Sequence, residues 1–397
     1  MLNEKGERML AYVVEVDSIT PLEGYDRVEL ATVGGWHCVV GKGDFDPNDE
    51  SKKRGIYFEI DSKVPDNDER FAFMAKRNFK VKTQRMCKVI SQGLLMPLSV
   101  FPEFKDLPLH SDVGQKLGVT YISQDDNIRK ANKTKDIKYM SMAARHKNIM
   151  KKKPFRWLMK REWGRKLLFV FLGKKKDSPK AFPTHFPYIH KTDEERVENI
   201  PFILNNEDDW IVTEKLDGTS STYILERKKN RRNKFEFYVL SRNIRQKDEK
   251  QNCYHDHNIY WDMAFKYHIR EQLETYLKQN PELDYVCVQG ESVGSVQGNP
   301  LKLKEDDLYI FNFIRSDRGR IPSTEAQLVV NEMGMKFVPI LDAHYKLPKD
   351  LDEFKKVATA KSVVNPSVYR EGIVLRNPKT DFSFKNVSRE YLLKHHD

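Results

Sequence analysis

The chain has 397 residues, of which 39% are hydrophobic and 32% charged, with a formal net charge of +11 and a pI near 9.1. Its length favours two domains with a connecting region, and its charge favours a polyanionic partner, either nucleic acid or an acidic membrane surface. Cysteines at 38, 87, 253 and 287 form no CxxC pair, so a reducing, cytoplasmic compartment is predicted rather than a zinc site or a disulfide framework. No apolar run reaches the ~18 residues of a membrane span.

The first hundred residues are predicted to be all-β. Short strand-like segments separated by turn residues cover 9–16, 28–33, 36–40, 55–60 and 86–90, and Gly93 breaks the last one. Strands at this spacing are typical of a small barrel or sandwich. A five-stranded OB-type barrel over 1–115 fits both the size and contact with an oligonucleotide.

The segment RNFKVKTQR, at 77–85, is the candidate nucleic-acid surface of that barrel. Strand alternation would place Lys80 and Lys82 on one face, with Arg85 just beyond and Phe79 available to stack on a base. The alternative is a solvated edge strand that lysines protect from pairing.

A basic connecting region is predicted at 116–181. Between 145 and 176 there are thirteen Lys or Arg and a single acid, Glu162. Phe155, Met159, Trp163 and Leu167 recur every four residues, which predicts one helix with an apolar face. We interpret the region as a connection that also meets phosphates, and the alternative is a basic helix lying on a membrane surface.

Residues 182–397 alternate between strand-like and helix-like patterns. Strands are predicted at 210–215, 220–225, 235–240, 285–288, 308–314, 372–375 and 381–385, and amphipathic helices at 263–278 and 324–333. The fold class is therefore α+β, with a pair of antiparallel sheets flanked by helices. Neither GxGxxG nor GxxxxGK[ST] is present, so no Rossmann or P-loop site is supported.

The stretch WIVTEKLDGTSSTYIL, at 210–225, is predicted to form a β-hairpin around the Asp217-Gly218 turn, with Lys215 at its start. Burial between strands would lower the pKa of Lys215 and make its neutral amine a nucleophile. Gly218 would let a phosphate approach the backbone. The alternative is a surface hairpin with a solvated lysine.

Charged residues at strand ends occur in a fixed order along this half of the chain. The series is EKLDG, SRN, GE, an aromatic strand, EGIVLR and FK, carrying Lys215, Arg242, Glu291, Phe311, Glu371 and Lys385. This order resembles the motifs of the covalent nucleotidyltransferases, and within them the ATP-dependent RNA ligases of the Deinococcus type, which have an OB module ahead of the ligase domain at 182–397. The resemblance covers most of the chain and is weakest over 129–180.

The resemblance implies a role for each residue. Lys215 would attack the α-phosphate of ATP and hold AMP, Lys385 would neutralise that phosphate, and Glu371 would help to hold Mg²⁺ or Mn²⁺. The remaining implied roles belong to Arg242 (ribose, or later the RNA 5′-phosphate), Glu291 (a ribose hydroxyl), Phe311 (stacking on adenine), Glu214 (the adenine edge) and Lys191 (the nucleotide phosphates). A carboxylate near Lys215 would raise its pKa, and the metal and Lys385 are expected to outweigh that effect.

Two features at the end of the chain refine the resemblance. Many relatives have Lys-x-Lys in the last motif, where this chain has Ser383-Phe384-Lys385. Twelve residues follow Lys385, which leaves no room for the C-terminal OB domain of DNA ligases and capping enzymes. These residues predict a monomeric RNA-repair ligase that joins 5′-phosphate and 3′-hydroxyl ends of RNA, or of an RNA-containing duplex at a nick, away from membranes. The alternatives are a capping enzyme that transfers GMP, and a nucleic-acid-binding protein with a retired ligase domain.

Overall fold

The structure is a computed structural model that describes residues 1, 8–121, 152–172, 182–190, 193–228, 235–246 and 258–395. Lys191 and most of the basic connecting region lie outside these ranges.

The N-terminal part contains short strands and 3₁₀ helices. Its strands are β1 (Ala11–Glu15), β2 (Ser18–Pro21), β3 (Val28–Val33), β4 (Trp36–Gly41), β5 (Arg54–Phe58), β6 (Ser62–Lys63), β7 (Thr83–Met86), β8 (Val89–Gln92), β9 (Leu94–Pro97) and β10 (Thr120–Tyr121). They pair in the orders β1-β5-β9, β2-β3-β4, β7-β8 and β10-β6. The predicted strand at 86–90 is wrong, because Cys87 and Lys88 have positive φ angles of 50° and 66° and form the turn between β7 and β8.

The core of this part explains why the first four residues of β1 are all buried. Tyr12 and Val14 pack into one buried cluster with Trp36, and Ala11 and Val13 pack into another on the opposite face of the strand. The second cluster includes Phe71 from a 3₁₀ helix at Glu69–Arg77, whose N-cap Asp68 accepts a hydrogen bond from the Arg70 amide. A strand covered on both faces loses the simple alternation of a half-buried strand.

The described piece of the connecting region forms two short helices, α1 (Lys153–Met159) and α2 (Glu162–Leu172). The single predicted helix is therefore wrong. The Arg161 amide donates to the Leu158 carbonyl at 3.1 Å, and a Cβ at position 164 would collide with that carbonyl, so Gly164 permits the tight turn. Trp163 and Leu167 are expected on one buried apolar face, but their side chains are 53% and 44% exposed.

The C-terminal part contains strands in two sheets, with helices around them. The strands are β11 (Glu195–Arg196), β12 (Trp210–Lys215), β13 (Thr219–Arg227), β14 (Phe235–Ser241), β15 (Tyr285–Val293), β16 (Asp307–Arg315), β17 (Gly319–Arg320), β18 (Lys336–Phe337), β19 (Ile340–Tyr345), β20 (Gly372–Arg376) and β21 (Ser383–Val387). The helices are α3 (Ile259–Lys266), α4 (Ile269–Gln279), α5 (Ser323–Glu332), α6 (Leu351–Val357) and α7 (Arg389–His395).

The two sheets have the orders β11-β21-β20-β12-β19 and β14-β13-β15-β16-β17, and β18 also pairs with β16. Antiparallel pairs dominate, as predicted, although β11 pairs in parallel with β21 and β18 pairs in parallel with β16. The predicted helix at 263–278 is interrupted, because His268 has a φ of 48° between α3 and α4. Ile269, Leu273 and Leu277 are fully buried as expected, whereas Phe265 is 48% exposed.

A buried chain of polar side chains joins the two sheets. Arg376 of β20 donates to Asn312 of β16 at 2.8 Å and to Ser323 of α5 at 3.1 Å. Asn312 donates in turn to Gln289 of β15 at 2.9 Å. Burial lowers the pKa of Arg376 to about 10, and its hydrogen bonds compensate for part of its lost hydration. The separation of the sheets is thereby set at one side of the cleft that they enclose.

The N-terminal part packs against the second part through specific contacts. The Trp36 indole donates to Asn199 at 2.7 Å, and the Gly35 amide donates to the Glu198 carbonyl at 2.7 Å. Position 35 must be glycine, because a Cβ there would overlap the Glu198 backbone. Val387 and Leu392, from the second part, join the core cluster around Trp36.

No helix among the described residues is long and apolar enough to cross a bilayer.

Candidate active site

Lys215 lies where the chain crosses from one sheet to the other. β12 pairs with β19 and β20, and β13 pairs with β14 and β15, so the predicted hairpin between β12 and β13 is wrong. A Cβ at Gly218 would overlap the carbonyl oxygen of Ser292 on β15, so glycine allows the crossing segment to approach the second sheet. Lys215 is the last residue of β12, opposite Gly372 of β20, and it is placed in the cleft rather than at a hairpin tip.

The Lys215 amine donates to Glu371 at 2.6 Å, across 156 residues of sequence. Burial lowers the pKa of Lys215, but Glu371, Glu291 and Asp217 raise it more, so the net shift is upward. The predicted downward shift is therefore wrong for the protein without nucleotide or metal. The physical reason is that the carboxylates stabilise the ammonium form by more than burial destabilises it.

The carboxylates around Lys215 destabilise one another. Burial and the charges of Glu371 and Asp217 raise the pKa of Glu291 to about 8, against the effects of Lys215 and of a hydrogen bond from the Gly218 amide. Burial and Asp217 also raise the pKa of Glu371. Asp217 accepts a hydrogen bond from the Tyr391 hydroxyl at 2.7 Å, which holds it at the crossing. Glu291 is largely protonated near neutral pH, so the excess of negative charge beside Lys215 comes from Glu371 and Asp217.

That excess is suited to a divalent cation. No three His, Cys, Asp or Glu side chains converge into a ready-made metal cage within the described parts of the chain. Mg²⁺ typically uses one or two carboxylates and completes its octahedron with water and phosphate oxygens, so a complete protein cage is not required. Glu371, with its hard oxygen donors beside Lys215, fits such an ion.

A second group of charged side chains, within electrostatic range of Lys215 and Glu371, is rich in cations. Lys385 of β21 donates to Asp193 Oδ1 at 3.0 Å, and Arg242, just after β14, donates to Asp193 Oδ2 at 2.9 Å. Burial together with Arg196, Arg8 and Lys215 lowers the pKa of Lys385, and Asp193 opposes that shift. Position 383 is a serine that donates to Glu194 at 3.1 Å, so a second lysine of the last motif is replaced by a neutral contact.

A third group of candidate residues lines the cleft farther along the strands. Glu214 is 2% exposed, its Oε2 accepts from the Val363 amide at 2.8 Å, and its Oε1 has no partner among the described residues. Burial raises the pKa of Glu214. Phe311 is half-buried on β16, and Tyr309 of the same strand lies directly opposite Glu291. Both rings are candidates to contact a base.

The nucleic-acid residues predicted in the N-terminal part are placed differently from expectation. Lys80 and Lys82 flank the buried Val81 and are half-exposed, whereas Phe79 packs against the core and is not free to stack. Phe79 follows the 3₁₀ helix with a φ of 60°, which turns its ring inward. Arg85 lies 3.5 Å from Glu390 of α7, so it contacts the second part of the chain.

Sequence reasoning missed three residues of this cleft: Asp193, Tyr309 and Tyr391. Asp193 follows Lys191 in an acidic stretch, DEE, that offered no pattern to choose among its members. Tyr309 could have been found, because aromatic residues occupy every second position of LYIFNFI. Tyr391 reaches Asp217 from 174 residues away, and no local signal reports such a contact.

The comparisons with known proteins agree with this geometry. Residues 10–98 match the family model of an OB-fold domain, and residues 208–390 match that of RNA ligase. The chain therefore contains an RNA ligase domain. Its OB-fold domain lies ahead of the ligase domain, as the resemblance implied. The protein is thus an enzyme, an RNA ligase.

Solved structures of an RNA ligase from Naegleria gruberi resemble this ligase over nearly its whole length. The form with PPi is 29% identical with a TM-score of 0.73, covering 98% of this chain and 100% of that one. A mutant with ATP and Mn is 28% identical with a TM-score of 0.71, covering 98% and 99%. A further mutant, with AMP and Mn, is 29% identical with a TM-score of 0.72, again covering 98% and 99%. A search of the curated proteins found no match.

Proposed function

We propose that this RNA ligase uses ATP and a divalent metal to join a 5′-phosphate to a 3′-hydroxyl RNA end, preferentially at nicks in duplexes. Lys215 attacks the α-phosphate and expels pyrophosphate, the AMP passes to the 5′-phosphate, and the 3′-hydroxyl then displaces AMP. The observation that carries the proposal is that Lys215 lies among carboxylates, with the cation Lys385 within electrostatic range.

Each end of the cleft supplies what the first step needs. Glu371 holds the Lys215 amine at 2.6 Å, which fixes the direction of attack. Lys385 and Arg242 offer donors to the phosphate oxygens, where negative charge must be stabilised. A divalent ion bound by Glu371 would offset the carboxylate charge, favour loss of the Lys215 proton and stabilise the α-phosphate.

A choice of ATP over GTP is supported by Glu214. Its Oε1 is buried and meets no donor in hydrogen-bond geometry among the described residues, and the nearby Ser362 hydroxyl acts on the same carboxylate by lowering its pKa. Adenine offers an exocyclic N–H₂ donor where guanine has the acceptor O6. An unsatisfied acceptor at this place would therefore favour adenine and disfavour guanine.

The RNA would be held outside the cleft by cations of the N-terminal domain and the connecting helices. Lys80 and Lys82 lie on one side of the domain, and the α1–α2 turn carries exposed Lys160 and Arg161. One chain supplies both domains, so the proposal requires no second copy. The free thiols of Cys38, Cys87 and Cys287 suit a reducing cytoplasmic setting.

The proposal is tested by incubating the purified chain with ATP or GTP and Mg²⁺ and measuring its intact mass. We expect a gain of one AMP from ATP, none from GTP, and no gain in Lys215→Ala. Lys278→Ala is the matched control, because Lys278 of α4 is also paired with a carboxylate, at 2.7 Å from Glu274, but is no part of the proposed site. A GMP adduct would identify a capping enzyme, and duplex binding without any adduct would identify a retired ligase domain.

A further inference from the structure

A single carboxylate, that of Asp193, contacts both cations that the proposed function assigns to phosphate. The two oxygens of Asp193 accept separately from Lys385 at 3.0 Å and from Arg242 at 2.9 Å. Two oxygens on one centre that bridge two cationic donors are also what a phosphate group presents. Asp193 therefore has the geometry of a stand-in for the ligand.

The local backbone allows Asp193 alone of its acidic stretch to play this part. Glu194 accepts from Ser383, and Glu195 accepts from Asn199 at 2.7 Å, so both neighbours have contacts elsewhere. Asp193 precedes β11, whose pairing with β21 begins at Glu195. Its side chain can therefore turn away from Lys385 without breaking the ladder between these two strands.

The electrostatics favour an ionised Asp193. Burial alone would raise its pKa, but Lys385 and Arg242 hold the pKa well below its usual range. Its side chain is 23% exposed and that of Arg242 is 48% exposed, so solvent and ligands reach the arrangement. An arriving phosphate would meet a negative group at its own site, and the two anions cannot share the cations without repulsion.

We propose that Asp193 is an internal competitor for the phosphate site of the ligase. It holds Lys385 and Arg242 while the site is free, yields them when the nucleotide binds, and returns once AMP has left Lys215. This inference rests on the proposed function in one respect, that Lys385 and Arg242 are phosphate ligands. The consequence is that Asp193 weakens the binding of phosphates and speeds their release.

Titration calorimetry of the full chain with inorganic pyrophosphate tests the inference without any chemistry. Asp193→Asn removes the competing charge, so we expect pyrophosphate to bind about three- to fivefold more tightly than to the wild type. In adenylylation assays the same variant should show a lower KM for ATP, without a rise in kcat, and stronger inhibition by pyrophosphate. A purely structural role would lower kcat and would not tighten binding.

Glu194→Gln is the matched control, because it removes a charge one residue away that does not contact either cation, and binding should stay within about twofold of the wild type. Asp193→Ala checks that the asparagine amide adds no contact of its own. Unchanged or weaker pyrophosphate binding in both Asp193 variants, or no binding by any protein, overturns the inference. Tighter binding in a chain that forms no AMP adduct would refute the proposed function and leave this inference standing.

Discussion

The two ends of the cleft contain the same kinds of side chain in opposite proportions. At one end three acids, Glu371, Glu291 and Asp217, surround Lys215, and its pKa is raised. At the other end several cations surround the single acid Asp193, and the pKa of Lys385 is lowered. Both lysines lie on strands that flank β20. Burial lowers the pKa of both lysines, but carboxylates outweigh burial at Lys215, whereas Arg196, Arg8 and Lys215 reinforce burial at Lys385.

This difference suggests a division of labour. A negative surplus is relieved by a cation and a positive surplus by an anion, so the Lys215 end suits a metal and the Lys385 end suits phosphates. ATP bound with its metal brings both charges at once. The metal then neutralises the carboxylates around Lys215, and the phosphates neutralise the cations around Lys385.

The largest expected effect comes from breaking the negative end. Glu371→Gln removes the metal ligand and the hydrogen-bonded partner of Lys215, and we expect the rate of AMP-adduct formation to fall on the order of a hundredfold. The measurement is single-turnover adenylylation from pH 6 to 9 at saturating Mg²⁺. With Glu371 neutral, the pKa of Lys215 is lower, so the residual rate should reach its plateau at a lower pH than that of the wild type.

A faster reaction of Glu371→Gln at neutral pH would contradict the role of Glu371, since it would mean that the carboxylate only restrains the amine. Glu353→Gln, a change on the surface helix α6, serves as the control for loss of one negative charge.

A smaller effect on ligase function is expected outside the cleft, at lysines of the N-terminal part that are half-exposed to solvent. The double variant Lys80→Ala, Lys82→Ala should weaken duplex RNA binding several-fold at low salt and reduce the slope of log affinity against log salt by roughly 2, about one per lost phosphate contact. Adduct formation should not change. The control is the double variant Lys105→Ala, Lys116→Ala, which removes the same charge from the N-terminal part. An equal loss of affinity in the control would show that net charge alone explains the effect.

The smallest effect concerns stability and Glu291. Its pKa is raised to about 8 in the folded protein, so the neutral form is favoured by folding, and this contribution is lost as the pH rises from the ordinary glutamate value through 8. Glu291→Gln should therefore have a Tm close to that of the wild type below pH 5 and a Tm higher by ~2–4 °C at pH 9, the shift expected for about 1 kcal/mol. Thermal unfolding without Mg²⁺ measures it, and a Tm difference independent of pH would contradict the raised pKa.

Local patterns predicted much of this fold. The runs from which β3, β12 and β16 form are continuous and apolar or alternating, and their bounds agree with prediction to within one residue. Predictions failed where a single backbone angle interrupts a good pattern, as at Cys87 and His268, or where glycine permits a close approach, as at Gly164. Periodicity reports which face is buried and does not report the φ angle of one residue.

The sequence alone determined which reactive residues the chain has, their order, and the family to which that order belongs, because motifs are local. Only the tertiary structure decided that β12 pairs with β20 rather than with β13, that Glu371 reaches Lys215 across 156 residues, and that Asp193 pairs with both Lys385 and Arg242. The physical reason is that a pKa depends on every charge nearby in space, and neighbours in space are chosen by sheet pairing over long sequence separations.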